Sequence, residues 1–263
     1  MVFYIYTHYK CFMIFALKFA YTGKGYYGYA RQPGLITIEG EIIKTLIKIG
    51  VFEDTKKASF RSASRTDKNV SAVANVISFN TKQSKKYIFS NLKNIKNSIV
   101  FYSIKKVEDD FNPRFAKMRH YKYYFKKSNY EIEDIISLLS IFTGKHNFSN
   151  FARVENFKDP VRLIENIVCE KNDEFFIIDF YAPNFLWSQI RRIISALSKV
   201  LNNKVKKEEV VEALENPNKI VDFGLAAAEP LILQEIFYDF EFETDKNQIK
   251  KVKNLEAKII SQL

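Results

Sequence analysis

Residues Arg61–Ala72 read RSASRTDKNVSA, a polar and flexible stretch that runs directly into the apolar segment Val73–Phe79, VANVISF. Polar loops feeding a sheet are favoured places for reactive side chains, because the strand fixes the root of the loop while its tip stays accessible. Within the stretch, Asp67 stands two residues from Arg65, and Asn69 tolerates left-handed backbone angles better than most residues. A carboxylate held beside cationic groups can serve as a nucleophile, as a base or only as half of an ion pair. Taken alone, the triplet Arg65-Thr66-Asp67 favours the surface ion pair.

Outward from this loop the chain mixes strands and helices without strict alternation. Val70–Phe79 alternates as a strand, as do Phe15–Tyr21 (FALKFAY) and Ile99–Val107 (IVFYSIKKV). Between the first two lies the loop Thr22–Gly34 and then a helix with Thr37 as N-cap, Ile38, Ile42, Leu46 and Ile49 on one face, and Gly50 as its stop. Tyr87–Ile95 reads as a further helix. A similar order recurs downstream: strand Tyr121–Phe125, helix Ile132–Phe142 stopped by Gly144, strands near Leu163–Cys169 and Phe175–Tyr181, helices Leu186–Leu201 and Glu208–Leu214, and strand Leu231–Tyr238. The pattern predicts two α+β units, residues 14–113 with the Asp67 loop and residues 114–245, divided where charge, Asn and Pro cluster in Asp109–Arg114. Residues 246–263 read as a charged tail, a solvated helix or a frayed end. The opening residues 1–13, MVFYIYTHYKCFM, lack a small-residue cleavage site and make a poor signal peptide, and Met13 is an alternative initiator.

Composition excludes several classes. With 263 residues, 47% hydrophobic and 27% charged, the chain can build a packed core and is not disordered. Its two cysteines, Cys11 and Cys169, form no C-x-x-C pair, which points to a reducing, cytoplasmic setting and away from a thiolate metal cluster; three histidines make a zinc site improbable. No apolar run reaches the roughly 20 residues that span a bilayer. Lys+Arg 41 against Asp+Glu 30 leaves a net charge of +11, suited to a polyanion whose counterions are released on binding. Biased base usage in a coding genome also enriches Lys, Ile and Asn, so charge alone does not choose the partner.

The longer string SRTDKNVSA at Ser64–Ala72 resembles the G-R-T-D-x-G-V-H/S-A signature of the tRNA pseudouridine synthase A family, and further motifs follow in the family's order. Tyr21-Thr22-Gly23 with Gly28, Tyr29 and Gln32 resembles its N-terminal loop, and TIEG at Thr37–Gly40 its first helix start. Phe111, Arg114 and Phe115 resemble F-H-A-R-F; Arg119, Tyr121 and Tyr123 resemble R-x-Y-x-Y; Phe142, Gly144, His146 and Phe148 resemble F-x-G-x-H-x-F. FLWSQIR at Phe185–Arg191 and GLA with PLIL at Gly224–Leu233 resemble the remaining two. The resemblance runs from about Phe15 to Tyr238. It implies a pseudouridine synthase fold, two α+β domains with adjoining antiparallel sheets around a central basic cleft, a homodimer, and no metal or organic cofactor.

Carried over by motif, the resemblance implies that Asp67 is the nucleophile, that Arg191 pairs with its carboxylate, and that Arg65 helps position the RNA. Tyr121 would lie on the uracil ring, with Tyr123 the second choice. Lys24, Arg31, Arg61, Arg114, Arg119, Arg153 and Arg162 are candidates for the tRNA backbone, and Arg192 for a phosphate contact or a surface position. His146 reads as structural, and His120 has no assigned role. The implied substrate is uridine in the anticodon arm of tRNA, around positions 38 to 40.

The chemistry explains these residue types. Making pseudouridine breaks the N1–C1′ bond, turns the base and forms a C5–C1′ bond, with no redox change. Three courses are open to a carboxylate: addition to C6, attack at C1′, or removal of a C2′ proton. A buried carboxylate stays ionised only if an opposite charge offsets its desolvation, and an aromatic platform offsets part of the cost of unstacking the base. Two departures stand out. Ser64 and Asn69 occupy family glycine positions, and Ala227 and Ala228 blur the G-L-A-P-A segment. A non-catalytic RNA-binding protein on the same scaffold is the alternative reading, although such a protein has no use for a carboxylate facing a polyanion. A metal-dependent nuclease would need acidic ligands clustered around Asp67, which the sequence does not supply.

Overall fold

The computed structural model describes residues 12–92, 98–155 and 158–263. Most of the leader and the end of the helix expected over Tyr87–Ile95 lie outside them. The fold is α+β, built on one large sheet.

In the N-terminal half, β1 (Met13–Tyr21) lies between β3 (Ser71–Thr81) and β4 (Ile99–Val107), antiparallel to both. The two-residue strand β2 (Arg61–Ser62) pairs with β3 and so delivers the chain to the Asp67 loop. Helix α1 (Ile38–Lys48) starts where sequence places it: the Thr37 hydroxyl accepts from the Gly40 amide at 3.3 Å, and Ile38, Ile42, Ile43 and Leu46 are buried. Helix α2 spans Lys85–Leu92 and buries Ile88 and Leu92.

The C-terminal half repeats the theme. Strand β5 (Met118–Lys126) leads through α3 (Ile132–Leu139) to the small hairpin β6 (Gly144–Asn147) and β7 (Val161–Ile164), then to β8 (Asn166–Lys171) and β9 (Phe175–Ala182). The single strand expected near Leu163–Cys169 is therefore two, in different sheets, because Glu165 turns the chain from the hairpin onto the edge of the main sheet. Helix α4 (Gln189–Leu201) begins three residues later than its apolar pattern suggests, since Leu186 packs from the preceding turn. Helix α5 (Lys207–Glu215) follows, then β10 (Leu231–Phe237) and β11 (Glu243–Thr244).

Strand β10 joins the halves. It pairs antiparallel with β5, setting Leu233 opposite Tyr121 and Leu231 opposite Tyr123, and parallel with β3 through Ile232 with Ser71 and Leu233 with Ala72. The two expected sheets do more than adjoin: they are hydrogen-bonded into one, in the order β11-β4-β1-β3-β10-β5-β9-β8, across a short parallel seam. Lys18 of β1 reaches over this seam to Glu235 at 2.6 Å.

Helices α1 to α5 contribute to the main core. The opposite face is covered by the segment expected as a solvated or frayed tail. Helix α6 (Lys246–Ile260) is capped by the Asp245 carboxylate, which accepts from the Asn247 and Gln248 amides. Its Val252 packs with Ala20, Ala74, Val100 and Tyr102 of the N-terminal strands, and its Ile259 with Tyr124, Phe175 and Ile232 beyond the seam. Among the described residues no helix is long and apolar enough to cross a membrane. Burying an unpaired charge under α6 should separate it from the sheet: Val252→Asp is expected to lower the unfolding free energy by about 2–5 kcal/mol in urea titrations, whereas Lys253→Asp on the exposed side should change it by less than about 0.5 kcal/mol.

Candidate active site

The Asp67 loop is pressed into shape from several sides. Asn69 adopts φ +68, as a turn at a former glycine position requires, and the Val70 amide donates to the Asp67 carbonyl at 3.2 Å. From below, Gly23 approaches so closely that a Cβ there would sit 2.5 Å from both the Asn69 carbonyl carbon and the Val70 oxygen. The Tyr29 amide donates to the Thr66 carbonyl, and the Tyr21 and Thr66 hydroxyls bond at 2.8 Å. The fully buried Asn75 donates to the Ser64 carbonyl at 2.9 Å. The N-terminal loop is thus the mould of the Asp67 turn.

Arg119 holds the other side. Sequence offers it as a tRNA contact, but its side chain is buried, and the structure corrects that reading. The guanidinium donates to the Ser64 hydroxyl at 3.0 Å, to the carbonyls of Ala63 at 3.1 Å and Arg114 at 2.9 Å, and to that of Pro183. Four of its five N–H groups are thereby spent on acceptors from three chain segments, and the residue is only 6% exposed, so it ties the loop together rather than facing an RNA phosphate. Ser64 is therefore used for its hydroxyl, with no positive φ needed. Asn69 likewise donates from its amide to Glu229 at 2.7 Å, tying the loop to the segment before β10.

Asp67 and Arg191 meet as expected, although 124 residues separate them: Arg191 Nη1 lies 2.7 Å from Asp67 Oδ2. Their side chains are only 18% and 13% exposed, so water screens the pair weakly. Arg191 is aimed by its own Nε, which donates to the Ala226 carbonyl at 2.9 Å, while the Ala226 amide returns a bond to the Arg191 carbonyl. The blurred segment Gly224–Ala228 still performs this task. Ser188 adds a second donor to the same carboxylate oxygen, Oγ to Oδ2 at 2.8 Å. Sequence reading gave Ser188 no role, yet it stands one helical turn before Arg191, and that i, i+3 spacing is the signal that they share a face.

Tyr121 and Tyr123 alternate along β5 and so face the same side of the sheet. Both rings are buried. The Tyr123 hydroxyl donates to the Ala227 carbonyl at 3.2 Å, whereas the Tyr121 ring stands edge-on to Phe185 with centroids 5.3 Å apart. Burial pushes both phenols up to about 12, against the opposing pull of Arg119 on Tyr121 and of Arg191 on Tyr123. Asp67 is close enough to Tyr121 for its charge to be felt there.

The remaining basic candidates do not converge on the carboxylate. Arg65 is exposed on the same loop; together with Arg153, and behind the larger effect of Lys158, it draws the Glu155 carboxyl below its ordinary range. Arg61 and Arg114 are exposed. Lys24 is exposed and donates to Gln262, and Arg31 is exposed and pairs with Glu39 at 3.6 Å. Arg153 lies over the half-exposed Trp187 ring at 4.1 Å, and Arg162 donates to the carbonyls of Asp159 and Val161. Arg192 pairs with Asp222 at 2.8 Å. His146 bonds the Thr143 carbonyl, as a structural residue would, and His120 bonds Asp179 and stacks on Tyr181.

Comparison with known proteins matches the chain to a family. Residues 139–239 match the family model described as tRNA pseudouridine synthase. The chain is 40% identical over 243 residues to the tRNA pseudouridine synthase A of Thermococcus sibiricus, covering 92% of this chain and 91% of that one. It is 38% identical to the protein of the same name from Thermococcus kodakarensis, with 92% and 91% covered, and 34% identical to that from Methanobrevibacter smithii, with 85% and 83% covered. Near-complete coverage at these identities, joined to a loop-borne aspartate met by an arginine from the far half of the chain, shows that this protein belongs to the tRNA pseudouridine synthase family.

Proposed function

We propose that the protein isomerises uridine to pseudouridine in the anticodon arm of tRNA, around positions 38 to 40, with Asp67 as the nucleophile. The observation that carries this reading is the Asp67–Arg191 pair at 2.7 Å, with Tyr121 within reach of its charge. The choice of the anticodon arm, the homodimer and a cytoplasmic location rest on the resemblance of the motifs. The Cys169 thiol is pushed up to about 11 by burial and is not a ready thiolate at neutral pH.

In this reading the chain's own groups divide the work. Asp67 supplies the electron pair, and Arg191 fixes the carboxylate's direction while offsetting its desolvation. Tyr121, protonated across the physiological range, offers its ring to the unstacked base. The N1–C1′ bond breaks, C5 bonds to C1′, the C5 proton leaves and N1 gains one, so no atom is lost. Arg65, Arg61, Arg114, Arg31, Lys24 and Arg153 are exposed, where they can meet phosphates and set the position of the RNA without reading its sequence. A non-catalytic RNA binder would gain nothing from an aspartate carboxylate on the face that meets RNA, because it would repel the phosphates that such a protein must hold.

Unmodified tRNA transcript incubated with the purified chain and a chelator should acquire pseudouridine in the anticodon arm by chemical mapping. Asp67→Asn should abolish it while tRNA binding persists; equal modification by Asp67→Asn, or a requirement for divalent metal as reactant, would sink the assignment. For the platform, Tyr121→Phe should retain most of the activity, and Tyr121→Leu should lose stacking worth roughly 1–3 kcal/mol, read as about 5- to 150-fold in single-turnover rate. Equal rates for the two would move the role to Tyr123 or remove it.

The mould of the loop is tested at two glycines. Gly23→Ala drives a Cβ into the Asn69–Val70 backbone and should cost on the order of 100-fold in rate, because a displacement near 1 Å suffices for that. Gly25→Ala meets no atom within 4 Å, and its φ of +87 should cost only about 1 kcal/mol of stability with the rate retained. Rates and urea midpoints measured side by side distinguish the two effects.

A further inference from the structure

We propose that Ser188 is a positioning residue that, together with Arg191, pins Oδ2 of Asp67 and leaves Oδ1 as the oxygen that attacks. This rests on the reading of Asp67 as the nucleophile. Ser188 occupies the N-cap position of α4, where a serine ordinarily turns its oxygen to an amide of the first turn. Here it makes no such bond; its backbone lies at φ +57, ψ +15, in the left-handed region, and its hydroxyl is donated to Asp67 at 2.8 Å. A helix start that forgoes its cap and holds a strained non-glycine residue is over-determined by its surroundings, and such positions cluster at functional sites.

Those surroundings are visible. The Gln189 side chain accepts from the Leu186 amide at 2.8 Å, and the Gln189 amide donates to the Leu186 carbonyl, closing a tight turn around Ser188. On one side Trp187 is held by the Arg153 amide at 2.9 Å, and on the other the Ser188 carbonyl accepts from the Arg192 amide at 3.0 Å. The hydroxyl is thus carried on a fixed frame.

Its direction follows from the acceptor. An ionised carboxylate only accepts, so the Ser188 proton points at Asp67. Ser188 and Arg191 both donate to Oδ2, and among the described residues no donor approaches Oδ1. The carboxylate's terminal torsion is intrinsically soft. One donor would permit rotation about the remaining axis; two donors from different points fix the plane. Oδ1 then delivers its electron pair while Oδ2 keeps both bonds: addition to C6 opens the C5–C6 π bond, attack at C1′ breaks the N1–C1′ bond with its pair leaving on N1, and removal of the C2′ proton forms a C1′–C2′ double bond as the same pair leaves on N1. If a covalent bond to carbon has formed, the same donors receive the carboxylate when that bond breaks and the electron pair returns to the aspartate.

The test compares the full-length wild type with Ser188→Ala and Ser188→Gly on unmodified tRNA transcript, under single-turnover conditions, with tRNA affinity and thermal midpoint measured in parallel. Both variants should keep tRNA affinity within about twofold and lose rate by on the order of tenfold, as expected for a misdirected nucleophile. Glycine accepts φ +57 without strain, so Ser188→Gly should raise the thermal midpoint while lowering the rate. A merely structural serine would make rate and stability move together. Wild-type rates in both variants, or a loss confined to tRNA affinity, overturns the role of Ser188 while leaving the activity standing. A wild-type chain that makes no pseudouridine removes the reading of Asp67 and this inference with it.

Discussion

The contact between Asp67 and Arg191 is the constraint around which the rest is arranged. A carboxylate inside a chain of net charge +11, with less than a fifth of its side chain exposed, needs a partner that is both close and fixed. Such a pair is a poor source of net stability, because desolvating two charges consumes most of what their attraction returns. Its retention is better understood through direction. The guanidinium arrives from α4 and is aimed by the Ala226 carbonyl, so the angle of the carboxylate depends on three segments far apart in sequence. Those segments hold their places because β10 runs between β3 and β5.

The loop that carries Asp67 is positioned as rigidly as a strand. Backbone pressing on backbone at Gly23, a buried amide at Asn75 and the four-bonded guanidinium of Arg119 leave it little freedom. The two departures from the family's glycines fit into this. Ser64 supplies an acceptor to Arg119, and Asn69 adopts the left-handed turn while its side chain reaches Glu229. Each replaces backbone freedom by a side-chain bond to another segment.

What the sequence made legible was whatever depends on neighbours along the chain. Thr37 as a cap, the apolar face of α1 and the loop feeding β3 are local facts, and they stand in the structure. The meeting of Asp67 with Arg191 was legible only through the resemblance of motifs, since no spacing rule links positions 124 apart. Arg119 was misread because an arginine beside tyrosines on a strand looks the same whether it faces solvent or a nest of carbonyls; its acceptors come from residues 63, 64, 114 and 183. Helix α6 was obscured by its lysines, although Ile249, Val252, Leu255 and Ile259 recur on one side and meet the sheet. Long lysine stems around a narrow apolar stripe make a docked helix resemble a solvated one.

The parallel seam between β3 and β10 has a bearing on how the chain comes into being on the ribosome. Ser71 and Ala72, the seam residues of β3, directly follow the Asp67 loop, and their partners Ile232 and Leu233 lie about 160 positions downstream. The nascent N-terminal half can assemble β1, β2, β3 and β4 early, but the Ser71–Ala72 end of β3, beyond the part that β2 covers, remains an open edge until nearly the whole chain has emerged. Loop closure over that separation comes late in the assembly and is slow. The order of synthesis therefore keeps Asp67 from meeting Arg191, 124 residues downstream, until most of the chain has emerged.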